Sequence, residues 1–457
     1  MIELDMLPAL GPATKTETAA LKSRAWTSGL IVQAVFAGAL AAAAVAILFF
    51  AATRAYLTIP YSDVHDWIAQ VFATERTHAW LGYLFEPHNA QRIPSARLVE
   101  ALDIDTAKGR WPSFLLGGVV CWLMGCAALA GLVVRAPLSP TTKIVVGVLA
   151  GVMAANIGLA EDFAFPVFSV YLFVAGPALA ALISFQVAAA KGLRSPAFWL
   201  ALLFGVLASF GNAAGLAVWP ALFVSALLQR RRAPEMAVLV LAGLGCIAFL
   251  ETGLGMPGGA KAASGGGSHI LKMIVYFMAF GGLPWSRGLH ALSIGAVFGL
   301  CVWAAAAWGL IGAQAWRKDA ASVMVQAGAA MIVFGLIAAV LATIGRVDEL
   351  PQPIVPTRYT PFALVLQLGA VLVFARRLEL VSESWRRIAT VGGFALAIGM
   401  VAASPHGARA ITRAADRIRA ASDLFDKTGQ QPDLVIHPRP DIAAGVRAEL
   451  HVRGLPY

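Results

Sequence analysis

Charge is what this chain has least of. Only 13% of its 457 residues are Asp, Glu, Lys or Arg, against 59% that are hydrophobic. Soluble domains carry about 25% charged residues, so an ordinary soluble domain is excluded. Cysteine is nearly absent. Cys121, Cys126, Cys246 and Cys301 all fall inside apolar runs and show no CxxC or Cys/His spacing, so they read as small buried residues rather than a disulfide framework or a zinc motif. The apolar–polar alternation of a membrane-spanning strand is missing. No internal repeat is visible, which weakens an inverted-repeat transporter. The Gly-rich stretch 253–267 lacks GxxxxGK[ST] and is no phosphate-binding P-loop; a plain flexible loop is the simpler reading, a lid the other. A cleavable secretory signal is also lacking. Residues 29–52 exceed the length of a signal core, and no small-residue cleavage site follows, so they form a first span that stays in the membrane.

Long apolar runs are what the chain has in abundance. Many windows exceed the ~18 residues that cross a bilayer as a helix. The expected fold is therefore an all-α polytopic helical membrane bundle of about eleven transmembrane helices. Expected spans are 29–52, 113–134, 144–160, 167–190, 234–251, 289–315, 321–344, 360–375 and 388–403, with a pair, 196–211 and 213–229, broken at Gly211-Asn212. A short apolar piece from His269 to Leu283 stays near the outer surface or re-enters. Lys15, Lys22 and Arg24 place residues 1–28 in the cytoplasm. The membrane domain is 29–403, its first outer loop is 53–112, and 404–457 is an extracytoplasmic tail. The tail has a helical period at Ile411, Ala415, Ile418 and Phe425 that suits a surface helix; residues 429–457, polar and Pro-containing, suit an irregular cap. The net charge of +10 does not indicate nucleic acid, because the basic residues sit in small clusters between apolar runs, where they set topology. With every predicted inner loop basic, all eight histidines and most span-flanking acids fall on the outer side.

The first outer loop is the polar exception. Asp63, His65, Asp66, Glu75, His78, Glu86, His88, Asn89, Arg92, Arg97, Glu100 and Asp103 crowd into it. Ser62 or Asp63 can cap a helix that starts near Val64. Val64, Trp67, Ile68, Val71 and Phe72 then share one apolar face, as in a helix lying on the membrane surface. Asp63 is either a general base or a cap, with Asp66 the weaker candidate base. His65 and His78 are expected to be solvated or interfacial. The segment 86–94 places His88, Asn89 and Arg92 between two prolines that stiffen it, which suits a polar ligand such as a sugar or phosphate, or simply a well-bonded rigid loop. Glu161 and Asp162, after the third span, offer a second acid, ligands for a divalent metal ion, or span-end polarity. Arg346 and Arg358, with Tyr359 beside the latter, lie at outer span ends; guanidinium groups there hold a phosphate by two parallel hydrogen bonds, or snorkel.

An acid directly after the first span, an amphipathic helix in a long first outer loop, and an acidic pair in the second outer loop are similar to the GT-C-type glycosyltransferases. HNAQRIPSARL (88–98) and PTRYTPF (356–362) resemble segments of bacterial membrane proteins of this type. The resemblance covers the spans and the first loop. The tail is shorter than the soluble C-terminal domain of many such enzymes, so it does not extend to acceptor recognition by that domain. It implies a polyprenyl-phosphate sugar donor, a glycan or lipid acceptor and an active face outside a bacterial inner membrane. Asp63 would be the base, and Arg358, Arg346 or Arg92 would neutralise the phosphate. A transporter or flippase of a lipid-linked or anionic solute is the alternative. Its mark would be charges near mid-span, whereas here they gather at span ends.

Overall fold

The computed structural model describes residues 28–88, 91–252, 267–286, 292–313, 323–347, 355–429 and 439–455. Helix makes up 88% of it, and no strand forms among the described residues. In chain order the helices are α1 (Ser28–Ala55), α2 (Val64–Thr77), α3 (Trp80–Phe85), α4 (Pro94–Ala107), α5 (Pro112–Arg135), α6 (Pro140–Ala154), α7 (Ala160–Ala164), α8 (Val170–Val187) and α9 (Pro196–Gly211). They continue as α10 (Val218–Leu228), α11 (Ala233–Glu251), α12 (Gly267–Gly281), α13 (Leu283–Ser286), α14 (Leu292–Ala313), α15 (Val323–Arg346), α16 (Thr360–Leu380), α17 (Glu383–Thr428) and α18 (Pro440–Val452).

Among the described residues, nine helical stretches are long and apolar enough to cross a membrane, and Pro196–Gly211, Ala213–Leu228 and His269–Gly281 are shorter apolar helices. The chain is an all-α membrane bundle, as its hydropathy requires. The broken pair is real. Asn212 leaves the helical region (φ −168°, ψ 175°) and its Oδ1 accepts from Ala214 N at 2.9 Å, which starts the next turn. Where α15 crosses α16 the backbones nearly touch. A Cβ on Gly369 would lie 2.7 Å from the Gly328 carbonyl oxygen, so only glycine permits the approach.

Apolar side chains gather in two places. The larger cluster lies among the spans. The second forms a head at one end of the bundle, built from the α2 face, Ile104, Phe114, Phe165, Ile411, Ile418, Val446 and Leu450. Three expectations change here. The apolar face of α2 is the expected one, with Val64, Trp67, Ile68, Val71 and Phe72 all buried, but it is buried in this head and not spread on lipid. The last span and the tail helix are one continuous helix, α17, of 46 residues. At 1.5 Å per residue that is about 69 Å, far more than the ~30 Å hydrocarbon core. Its far half therefore stands clear of the spans and inserts Ile411, Ala415, Ile418 and Phe425 as their spacing foretold. The segment expected to be an irregular cap contains α18, which packs on α2 through Val446 and Leu450, while Arg453 pairs with Glu75 and lies 3.8 Å from the centre of the Phe72 ring.

The third span also differs from its simple reading. It stops at Ala154, and Asn156 then turns the chain, its Oδ1 accepting from Gly158 N at 2.8 Å. The short α7 follows, so Glu161 and Asp162 sit on a folded-back turn between two spans. Gly158 lies against Thr360; a Cβ there would come within 2.7 Å of its methyl carbon. That close approach joins the α7 turn to the start of α16.

Candidate functional site

The head end of the bundle brings four segments together: the loop into α2, the loop after α3, the α7 turn, and the junction of α15 with α16. Leu57 N bonds to Ala164 O at 3.0 Å, and the Tyr61 and Phe165 rings lie 6.2 Å apart, fixing the first loop to the α7 turn.

Asp63 stands in the capping position of α2, but its side chain makes no capping hydrogen bond. Its Oδ2 instead accepts from His88 Nε2 at 3.1 Å, and Ser62 Oγ donates to Oδ1 at 3.3 Å. Ser62 adopts φ +53°, a left-handed conformation uncommon outside glycine, and this turn precedes the carboxylate. Burial is the largest influence on Asp63 and alone would raise its carboxyl. The hydrogen bond and charge of His88, the Ser62 hydroxyl and the charge of Arg358 together outweigh it and hold the carboxyl below its ordinary value.

Arg358 opens the turn before α16. Its guanidinium carbon lies 5.2 Å from the centre of the Phe168 ring and 5.9 Å from that of Tyr359. Beside it, Thr357 Oγ1 donates to Glu161 Oε2. Tyr61 is the meeting point of these groups. Burial first, then the carboxylates of Glu161 and Asp63, push its phenol up, against the opposing charge of Arg358. Tyr171, facing Tyr359 edge-on at 5.4 Å, feels the charges of Arg358, Arg346 and Asp162. Asp162 is fully buried, and its carbonyl oxygen accepts from Ser169 Oγ at 2.8 Å.

Asp63, His88, Glu161, Asp162, Arg346, Arg358 and Tyr359 thus share one neighbourhood. Two other expected residues are engaged elsewhere. Asp66 pairs with Arg439 at 3.1 Å, on the side of α2 that meets the C-terminal segment. Arg92 donates to the carbonyls of Phe85 at 2.6 Å and Leu250 at 2.5 Å, tying the loop after α3 to the end of α11. Asn89 lies outside the described residues. His65, expected to be solvated or interfacial, is fully buried, with Nδ1 donating to Ser62 O at 3.3 Å; His78 is exposed and ends α2.

The residues not anticipated are Tyr61, Thr357, Phe168, Tyr171 and Trp67. Tyr61 and Thr357 adjoin expected site residues, and that adjacency was a usable signal. Tyr171 and Phe168 sit inside an apolar run and look like any core aromatic. Among the described residues, no group of three or more His, Cys, Asp or Glu converges as a metal site.

The arrangement is a carboxylate held ionised beside a guanidinium, both partly exposed, at the mouth of a membrane bundle. Such a pair can take a proton at one point and neutralise an anion at another. No protein-family model, curated protein or solved structure matches the chain.

Proposed function

We propose that this chain is a GT-C-type membrane glycosyltransferase, which moves a sugar from a polyprenyl-phosphate donor to an acceptor hydroxyl at the extracytoplasmic face. The carrying observation is that the loop before α2 and the turn before α16, 295 residues apart at Asp63 and Arg358, are both tied to the α7 turn, through Leu57 N to Ala164 O and Thr357 Oγ1 to Glu161 Oε2, so that the guanidinium charge acts on the carboxylate. In the reaction Asp63 takes the proton of the acceptor hydroxyl as its oxygen bonds to the sugar C1. The C1–O bond to phosphate breaks, and its electron pair leaves with the phosphate. Arg358, with Arg346 behind it, meets the charge that develops there. One displacement inverts the sugar carbon through an oxocarbenium-like transition state. Both substrates are held at one surface, which supplies proximity.

A second feature supports a lipid-linked donor. An apolar cavity of about 320 Å³ lies among the spans, bordered by Val145, Leu149, Trp285, Phe374, Gly393 and Leu396. Gln367, at its upper edge, is two helical turns below Tyr359 on α16. A hydrocarbon chain seated there would end about 12 Å along α16 from Tyr359, so the prenyl units next to the phosphate would have to span that distance to Arg358.

The test is binding of undecaprenyl phosphate to the purified chain in nanodiscs. Arg358→Ala should weaken it tenfold or more, and Arg358→Lys should recover only part, because an ammonium cannot form the bidentate fork. Wild-type affinity in Arg358→Ala, or no binding by the wild type, would remove the proposal.

A further inference from the structure

His88 sits where a substrate contact was expected, yet its surroundings are those of a fixed part. The ring is 8% exposed, whereas the Asp63 side chain is 37% exposed. His88 N donates to Gln91 O at 2.7 Å, and Gln91 N donates back to His88 O at 3.0 Å. Gln91 Oε1 accepts from Ala213 N at 3.1 Å, at the break between α9 and α10. Arg92 anchors the same loop to α11 through the Leu250 carbonyl. The segment carrying the imidazole is therefore tied to two membrane elements. Trp67 seats the ring itself. The two rings meet edge to face, with the indole Nε1 3.3 Å from each ring nitrogen; with Nε2–H given to Asp63, it is Nδ1 that accepts from the indole. A ring 8% exposed and seated on Trp67 presents little surface to a sugar, but it reaches Asp63.

We propose that His88 is the positioning residue of the base: seated by Trp67 and anchored through Gln91 and Arg92, it donates Nε2–H to Asp63 Oδ2 and keeps the carboxylate turned from the α2 terminus toward the mouth. This rests on Asp63 being the base. Asp63 stands at the start of α2 with its backbone already helical (φ −58°, ψ −15°), where a capping residue is extended, and its carboxylate turns to the imidazole and not to the N–H groups of the first turn. The charged and titratable groups around Asp63 are His88, Arg358 at the start of α16, and Tyr61 in its own loop. Glu161 of α7 lies behind Tyr61, and His65 and Asp66 follow on α2. His88 bonds to Oδ2 at 3.1 Å.

The experiment follows the Asp63 carboxyl by carbon-13 NMR of aspartate-labelled full-length protein in nanodiscs, with Asp63→Asn assigning the signal. His88→Ala should move the Asp63 titration upward by about one pH unit, a tenfold change in the proton equilibrium. His88→Gln keeps an amide donor and should restore part of the shift. Trp67→Phe keeps the apolar bulk, loosens the ring, and should move the titration in the same direction by less. Where His88→Ala does not fold, His88→Gln and Trp67→Phe carry the test. An Asp63 titration unmoved in every folded variant overturns the proposal, because a residue that merely filled space would leave it unmoved. Undecaprenyl phosphate binding, measured on the same samples, separates the two readings. Its loss in the wild type would defeat the glycosyl reading and leave the titration result standing.

Discussion

Asp63 can be separated from Asp66 by one substitution each. Asp63→Asn should leave the fold intact, because the native side chain does not cap α2. It should lower sugar transfer about 10²–10⁴-fold, since an amide cannot take the acceptor proton. Asp66→Asn breaks a partly exposed pair with Arg439, a contact worth about 0–1 kcal/mol, and should leave transfer within a few-fold of wild type. Equal losses in the two variants would show that the first turn of α2, and not one carboxylate, matters. A second residue with a legible pH signature is Glu100, fully buried on α4. Burial, the largest influence, raises its carboxyl to about 8, against the favourable Tyr83 hydroxyl at 2.7 Å and the charge of Arg97. The folded chain then keeps this proton up to about pH 8, while the unfolded chain releases it near 4.5. Between those values the native state binds more protons, so its stability falls as pH rises. Denaturation of the purified chain between pH 5 and 8 should show that decline, and Glu100→Gln should flatten it.

At the scale of elements, α18 is the clasp on the helix that follows Asp63. Arg447 is buried and joins α18 to α17 through Asp426, the Ser422 hydroxyl at 2.8 Å and the Phe425 ring at 4.9 Å. Arg447→Ala should cost about 1.5–3 kcal/mol of this docking, the range for hydrogen bonds to charged groups. Limited proteolysis should then cut between residues 429 and 455 well before the spans unfold. Unchanged cleavage would mean that Val446 and Leu450 suffice to hold α18. The crossing of α15 and α16 makes the opposite demand, for absence of bulk. Gly369→Leu would place a side chain where Gly328 O and Met331 Cβ already lie, within 2.7 and 2.9 Å of its Cβ. Overpacking costs about 1–3 kcal/mol even where neighbours can shift. Here one neighbour is backbone, so Arg358 at the head of α16 should move with it. The expected outcome is a lower melting temperature together with weakened undecaprenyl phosphate binding.

At the scale of the molecule, the two ends differ in chemistry. One end carries the head with Asp63 and Arg358. The other carries Arg231, whose guanidinium donates to the carbonyls of Phe185 at 2.9 Å and Ala189 at 3.0 Å, closing the end of α8, and pairs with Glu235 at 3.1 Å. Because α17 runs from the second end to the first, reporter fusions after Arg231 and after residue 455 should lie on opposite sides of the membrane. Cytoplasmic signal is expected at Arg231, following the basic-residue bias. Cytoplasmic signal at both would contradict the span order, and a reversed pair would put the candidate site inside the cell.

Hydropathy is a local property, and what depends on it was open to the sequence alone. That includes the helical membrane class, the positions of most spans, the break at Gly211-Asn212, and the buried faces of α2 and α17. Tertiary structure decided what depends on distant partners. Whether Asp63 caps α2 or turns to His88 rests on a loop twenty-five residues away, and the 3.1 Å bond settles it. Whether Arg92 points to a ligand or clamps a loop rests on the Leu250 carbonyl. His65 is fully buried in the head, which no window around residue 65 foretells. Tyr171 joins the charged cluster although its neighbours in sequence are all apolar, because packing against Tyr359 brings the start of α8 to the start of α16. The helical period is written into every turn of a chain, but which side chains meet across a bundle depends on how whole helices pack.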